Sequence, residues 1–335
     1  MKDIGVIGAG SWGLALSRKL ALAGKDVTVW VFEKDEYDEL VETRMAQDYL
    51  KGVRLPASIS YSHSLESLRG FDQLVMAVPS HAVRTVVGQM ESLEFSPSVI
   101  INVAKGIEND TLLRMSEVIE QELSTVTPEQ IVTMTGPSHA EEVSRDIPTA
   151  VVAASTSLES AEKAQSLFND GTFRVYTNND IIGAELGGSV KNVIALAAGI
   201  LDGLEFGDNP KAALMTRGIA EITRLGLAAG AKEETFSGLS GIGDLIVTCL
   251  SQHSRNRHVG EEIGRGRKLD EIIGAMKMVA EGVKTTQSVQ DLAGKYSVDM
   301  PITEQVSQVL FHDKSPRAAL TDLMTREPVH ERHSM

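Results

Sequence analysis

The chain begins with a run of small and apolar residues, GVIGAGSWG, that places Gly8, Gly10 and Gly13 in G-x-G-x-x-G spacing. The run follows a β-branched stretch (3–8) and opens an amphipathic one (12–23). A strand that turns into a helix within three residues needs glycine at each step. The first permits the tight turn, the second lets the backbone approach a pyrophosphate, and the third lets helix pack on strand. The helix end then offers free N–H groups and a positive dipole to phosphate oxygens. In such motifs an acid about 20 residues on accepts from the ribose hydroxyls. Glu33 stands at that distance from Gly13, but it is equally read as an exposed loop carboxylate among Lys34, Asp35 and Glu36.

The pattern continues. Runs at 3–8, 26–31, 72–78, 98–103, 131–135 and 149–154 are rich in β-branched residues, and amphipathic stretches at 12–23, 81–91, 111–123 and 158–169 lie between most of them. Alternating β and α predicts a mostly parallel, doubly wound sheet. Past residue 180 the strand signal stops, and 181–204, 210–229, 259–264, 283–295 and 301–311 read as helices, with Pro210 at a first helical position. The expected fold is α/β: an N-terminal Rossmann-type doubly wound sheet (1–180) followed by an all-α C-terminal domain (181–335). The polar stretch YTNND (176–180) reads as the boundary.

Composition narrows the partners. The 335 residues carry 32 Lys+Arg against 46 Asp+Glu, a formal charge of −14. Such a chain gains no general attraction to nucleic acid or to anionic membranes, so a bound phosphate must be held by local donors. One cysteine, Cys249, excludes an intrachain disulfide and fits a reducing compartment. There is no signal-peptide pattern, and Lys191 and Asp202 interrupt the most apolar run, so no membrane span and a cytoplasmic location are expected.

That apolar run, GGSVKNVIALAAGILDGL (187–204), contains the most informative charge. On a helix, Leu186, Val190, Val193, Ala197, Ile200 and Leu204 form a core stripe. A second stripe of small residues runs through Ala184, Gly187, Gly188, Lys191, Ala195, Ala198 and Asp202, leaving room for something to lie against the backbone. A lysine on such a helix is costly unless it snorkels, is paired or loses its proton. Lys105 falls just past the C-terminal end of a β run, the edge where open α/β sheets bind ligands. If a helix starts at Asp244, then Asp244, Thr248 and Arg255 share one face, although Asp244 also reads as a simple N-cap. Ser254, Arg255 and Asn256 cluster phosphate-oxygen donors in an otherwise acidic protein. His253 and His258 do not share a helix face and no H-E-x-x-H occurs, so no metal site is expected.

The segments GAGSWG, AVPSHAVR, VAKGIE, GPSHAEEV, ELGGSVKNVIALAAGILDG, GIGDLIVTC, SRNR and VAEGVKTT together make nearly the whole chain resemble bacterial NAD(P)-dependent glycerol-3-phosphate dehydrogenases. The resemblance implies reversible hydride transfer between a nicotinamide and dihydroxyacetone phosphate, giving sn-glycerol 3-phosphate for glycerophospholipid synthesis. It implies Lys191 as proton acceptor. It also implies a substrate site lined by Lys105, Gly136, Ser138, Asp244, Ser254, Arg255 and Asn256, with Thr248 and Asn192 as further polar positions. Ser11, Trp12, Phe32, Lys105, Ala140, Arg255, Val279 and Glu281 would line the cofactor, and a homodimer is the family expectation. In the run VWVFEKD, Phe32 and Glu33 occupy the region where the family often carries a basic residue suited to the 2′-phosphate of NADP. NADH is therefore expected to be preferred over NADPH. A related dehydrogenase acting on a hydroxy acid or ketoacid, and a non-catalytic nucleotide sensor on the same fold, are the competing readings.

Overall fold

The computed structural model describes residues 4–276, 279–328, 330 and 331. Eight strands form one sheet in the order β3-β2-β1-β4-β5-β6-β7-β8. They are β1 (Ile4–Ile7), β2 (Val27–Trp30), β3 (Ile59–Ser62), β4 (Gln73–Met76), β5 (Val99–Asn102), β6 (Ile131–Thr135), β7 (Thr149–Ala154) and β8 (Phe173–Asn178). All neighbours pair in parallel except β6 with β7, which run antiparallel. Strand β1 pairs with both β2 and β4, so the strand order reverses there. A crevice opens beyond the carboxyl ends of the strands at such a reversal.

All six expected strands are present, and the two unexpected ones, β3 and β8, are the sheet edges. Both mix exposed with buried positions: in β8 Phe173 and Val175 are buried while Arg174 and Tyr176 face out. An edge strand with one wet face has no continuous apolar run to announce it. Within the stretch 176–180, residues Tyr176–Asn178 form the end of β8.

The helix Ile181–Gly203 is the axis of the second half. Asp180 caps it, accepting from the Gly183 N–H at 2.9 Å. By length and composition this helix could cross a membrane, contrary to the expectation from sequence, but 94% of its apolar window is buried inside the protein. Both of its stripes are covered. A Cβ on Gly187 would lie 2.3 Å from the Ser240 carbonyl, and one on Gly199 only 1.9 Å from the Arg257 carbonyl. The stripe positions Ala184, Ala195 and Ala198 are buried in the protein, and beside them Gly199 and Gly260 let this helix and Arg255–Gly264 meet backbone to backbone. Asp202 is held by Arg257 and Lys211.

Three details differ from expectation. The helix containing Pro210 starts two residues earlier, at Asp208. Asp244 and Thr248 lie on a short helix, Asp244–Leu250, and Arg255 begins a separate one, Arg255–Gly264, with Ser254 as its N-cap. Helices Lys34–Thr43, Leu269–Ala275 and Pro316–Met324 carry no signal in the sequence reading.

Candidate active site

Beyond β1 the chain turns at Gly8, whose φ of +115° is a region that L side chains rarely adopt. A Cβ on Gly13 would lie 2.1 Å from the Gly8 carbonyl, so the helix Ser11–Leu22 packs directly on the turn. A Cβ on Gly10 would meet nothing within 4 Å. Gly10 caps the helix without a side-chain hydrogen bond, and no acidic residue occupies its first turn. A helix N-terminus of this kind presents N–H groups and a positive dipole end to an anion.

These residues form one end of a cleft of about 400 Å3. Gly8, Gly10, Ser11 and Trp12 line it beside Trp30, Phe32 and Glu33; Lys105, Ser138, Ala140, Lys191, Asn192, Thr248, Ser254, Arg255, Asn256, Val279 and Glu281 line the remainder. Gly13, Gly136 and Asp244, also expected at the site, lie behind this wall rather than on it. The residues that line the wall without having been singled out from sequence include Glu36, Tyr49 and His139, and His253 was considered only as a metal ligand.

Asp244 organises the far end. It is 1% exposed and is the first residue of its helix, not its cap, because Gly243 takes that position. Its Oδ1 accepts from Lys191 Nζ, and its Oδ2 accepts from Lys105 Nζ at 2.8 Å and from Thr135 Oγ1 at 3.3 Å. Thr248, one turn on, accepts from Lys191 Nζ at 2.7 Å and donates to the Asp244 carbonyl at 2.6 Å. Gly136, at φ +136°, turns its carbonyl toward Lys105 Nζ at 3.3 Å and Ser138 Oγ at 2.9 Å.

Burial decides the charge of Lys191. It is 5% exposed, and loss of hydration lowers its pKa from the ordinary ammonium range to about 7. The Asp244 carboxylate opposes that fall and the Lys105 charge adds to it. Asp244 itself is held below the usual carboxylate range: both lysines outweigh a burial cost that alone would raise it.

Around the phosphate-donor cluster, Ser254 is buried and accepts from the Arg257 N–H at 3.2 Å. The Asn256 side-chain oxygen Oδ1 accepts from the Gly282 N–H at 2.9 Å, which ties helix Glu281–Tyr296 to the cleft. Arg255 is exposed, and its guanidinium donates to the Val279 carbonyl at 3.1 Å. Glu281 reaches across to Ser80, accepting from its N–H at 3.0 Å and its hydroxyl at 2.7 Å. At the opposite end Phe32 is 63% exposed and meets Trp30 edge-on at 5.8 Å. Glu33 is exposed, and Lys34 pairs with Asp38.

The arrangement combines a bare helix N-terminus for an anionic cofactor with a desolvated lysine and a cluster of donors. No group of three or more His, Cys, Asp or Glu is placed to hold a metal among the described residues. The only cysteine is buried, and burial pushes its thiol up to about 12.

Comparison with known proteins agrees with this chemistry. Residues 3–161 match the family model for the N-terminus of NAD-dependent glycerol-3-phosphate dehydrogenase, and residues 180–321 match that for its C-terminus. A glycerol-3-phosphate dehydrogenase [NAD(P)+] of Pelotomaculum thermopropionicum is 53% identical over 331 residues, 98% of this chain and 94% of that protein. One of Chlorobium phaeobacteroides is 52% identical over 329 residues, 98% of each chain. The crystal structure of a glycerol-3-phosphate dehydrogenase from Coxiella burnetii superposes with a TM-score of 0.93 at 38% identity, covering 97% of this chain and 99% of that one. The chain belongs to the NAD-dependent glycerol-3-phosphate dehydrogenase family.

Proposed function

We propose that Lys191 is the proton donor and acceptor in the reaction of this dehydrogenase, the reversible reduction of dihydroxyacetone phosphate by NAD(P)H to sn-glycerol 3-phosphate. The carrying observation is a buried amine on the cleft wall with a pKa of about 7. A bound nicotinamide supplies or takes the hydride; the protein supplies the proton, the orientation and the charge. As hydride reaches the carbonyl carbon, the protonated Lys191 gives its proton to the forming alkoxide. In the reverse direction the neutral amine takes the hydroxyl proton as hydride leaves. An amine with a pKa near 7 exists in both forms at neutral pH and serves both directions.

The supporting residues follow from their positions. Asp244 and Thr248 hold the Lys191 ammonium in one orientation. Lys105, tied to the Gly136 carbonyl, presents a second positive charge to the substrate beside Ser138. Ser254, Arg255 and Asn256 donate to the phosphate. Gly8, Gly10 and Ser11 take the cofactor pyrophosphate, with Gly13 serving it by packing the helix on the turn behind them, and with Trp12, Phe32, Glu33, Ala140, Val279 and Glu281 along its length. Glu33 accepts from the free ribose hydroxyls, so NADH is preferred over NADPH. We further place the enzyme in the cytoplasm as a homodimer feeding glycerophospholipid synthesis, with 1–180 as its dinucleotide-binding domain and 181–335 as its substrate domain. The test of the central role is steady-state turnover of Lys191→Met in both directions, with cofactor affinity measured alongside.

A further inference from the structure

The Asp244 carboxylate receives a third side-chain donor besides the two lysines. Thr135 ends β6, and its hydroxyl donates to Asp244 Oδ2 at 3.3 Å. The same oxygen accepts from Lys105 Nζ at 2.8 Å, while Lys191 Nζ holds Oδ1. Thr135 is 2% exposed and stands with Asp244 behind the cleft wall. Gly188 on the Ile181–Gly203 helix leaves the room it needs. A Cβ there would lie 2.7 Å from Thr135 Oγ1 and 3.7 Å from Lys105 Cδ. Valine has the same shape as threonine and suits a strand at least as well, so packing alone does not call for a hydroxyl at this position.

The hydroxyl acts on the charge that Asp244 offers to Lys191. An O–H that donates to a carboxylate aims the positive end of its dipole at that anion and offsets part of its charge. It does so without the net positive charge that Lys105 brings. The orientation of Asp244 does not hang on this contact, because two ammonium groups grip its opposite oxygens and the residue is 1% exposed. The other groups around the pair are settled in charge near pH 7. His139, after Ser138, is lowered to about 4 by burial first and by the Lys191 charge second. Burial pushes the Cys249 thiol, on the Asp244 helix, up to about 12. On the cleft wall, Arg255 is a permanent cation, and both Glu281 carboxylate oxygens accept from Ser80.

We propose that Thr135 is a positioning residue of the proton-transfer site: through Asp244, its hydroxyl weakens the hold of the carboxylate on the Lys191 proton and keeps that proton transferable in both directions. This rests on the reading of Lys191 as the proton carrier.

The test compares the wild type with Thr135→Val, which keeps the shape and removes the donor, and Thr135→Ser, which keeps the donor and removes a methyl group. The Lys191 ammonium is titrated in the intact enzyme by NMR of 13Cε-labelled lysine, its signal assigned by its loss in Lys191→Met. Profiles of kcat/KM against pH are recorded in both directions. In Thr135→Val the Lys191 midpoint should rise by roughly 0.5 to 1 pH unit, the scale of one hydrogen bond to a charged group. Both kinetic limbs should follow it, so that oxidation of glycerol 3-phosphate at pH 7 falls about two- to fivefold as less of the amine is neutral. Thr135→Ser should keep the wild-type midpoint. A midpoint that stays in place or falls in Thr135→Val overturns the assignment, as does a Thr135→Ser midpoint displaced as far as that of Thr135→Val. Failure of the Lys191 reading shows separately, because the kinetic limbs of the wild type would then depart from the Lys191 midpoint measured by NMR.

Discussion

Lys191 and Lys105 share one carboxylate: their ammonium groups bind opposite oxygens of Asp244, which is 1% exposed beneath them. Two ammonium ions this close repel each other, and a single buried anion makes the pair tolerable. The same anion sets the charge state of Lys191, because it raises a pKa that burial and Lys105 lower to about 7.

The first prediction concerns pH. Reduction needs protonated Lys191, so kcat/KM for dihydroxyacetone phosphate should fall as pH rises through about 7. Oxidation needs the neutral amine, so kcat/KM for glycerol 3-phosphate should rise through the same region. Asp244→Asn removes the charge that favours the ammonium. Both limbs should then move to lower pH, by roughly one pH unit or more. Profiles that stay in place in the variant would show that Asp244 does not set the Lys191 proton.

The second concerns the phosphate. Arg255 is exposed and spends one guanidinium N–H on the Val279 carbonyl, leaving other donors for a ligand. Arg255→Ala should lower kcat/KM for dihydroxyacetone phosphate by about 2–3 kcal/mol, the scale of a hydrogen bond to a charged group. Unphosphorylated dihydroxyacetone should lose much less. Equal losses would assign Arg255 to the cofactor or to the fold.

The third concerns the cofactor. Phe32 stands exposed on the cleft, and Glu33 borders it. Lys34 pairs with Asp38. NADH should be preferred over NADPH by roughly tenfold, about 1.4 kcal/mol. Glu33→Gln should narrow the ratio. A preference for NADPH, or a ratio indifferent to Glu33, refutes this account of the loop and leaves the dehydrogenase assignment standing.

The parts of this protein that are legible in its sequence are those where one physical demand acts alone. Strands β1, β2, β4, β5, β6 and β7 are inner strands of the sheet and read as β-branched runs. The edges β3 and β8 serve water on one face and lose that signal. Gly8 and Gly13 are legible because no other residue fits their turn and their packing. The small-residue stripe on Ile181–Gly203 was open to two meanings, since a ligand and a neighbouring backbone both require missing side chains. The Ser240 carbonyl closes over Gly187, and Ala184, Ala195 and Ala198 are buried in the protein. Lys191 still reaches the cleft because it projects where Asp244 and Thr248 receive it. The break between Leu250 and Arg255 turns one imagined helix into two, which no spacing rule reveals. His139 and His253 are 114 residues apart, and only the fold brings their rings together.

The most direct measurement is kcat of Lys191→Met. Methionine keeps much of the side-chain volume and removes the proton carrier. The expected outcome is a fall of at least ~10²-fold in both directions, the low end for losing an acid–base group, with the Kd for NADH nearly unchanged. A variant that keeps near-native kcat in either direction would contradict the assignment of Lys191 as the group that moves the proton.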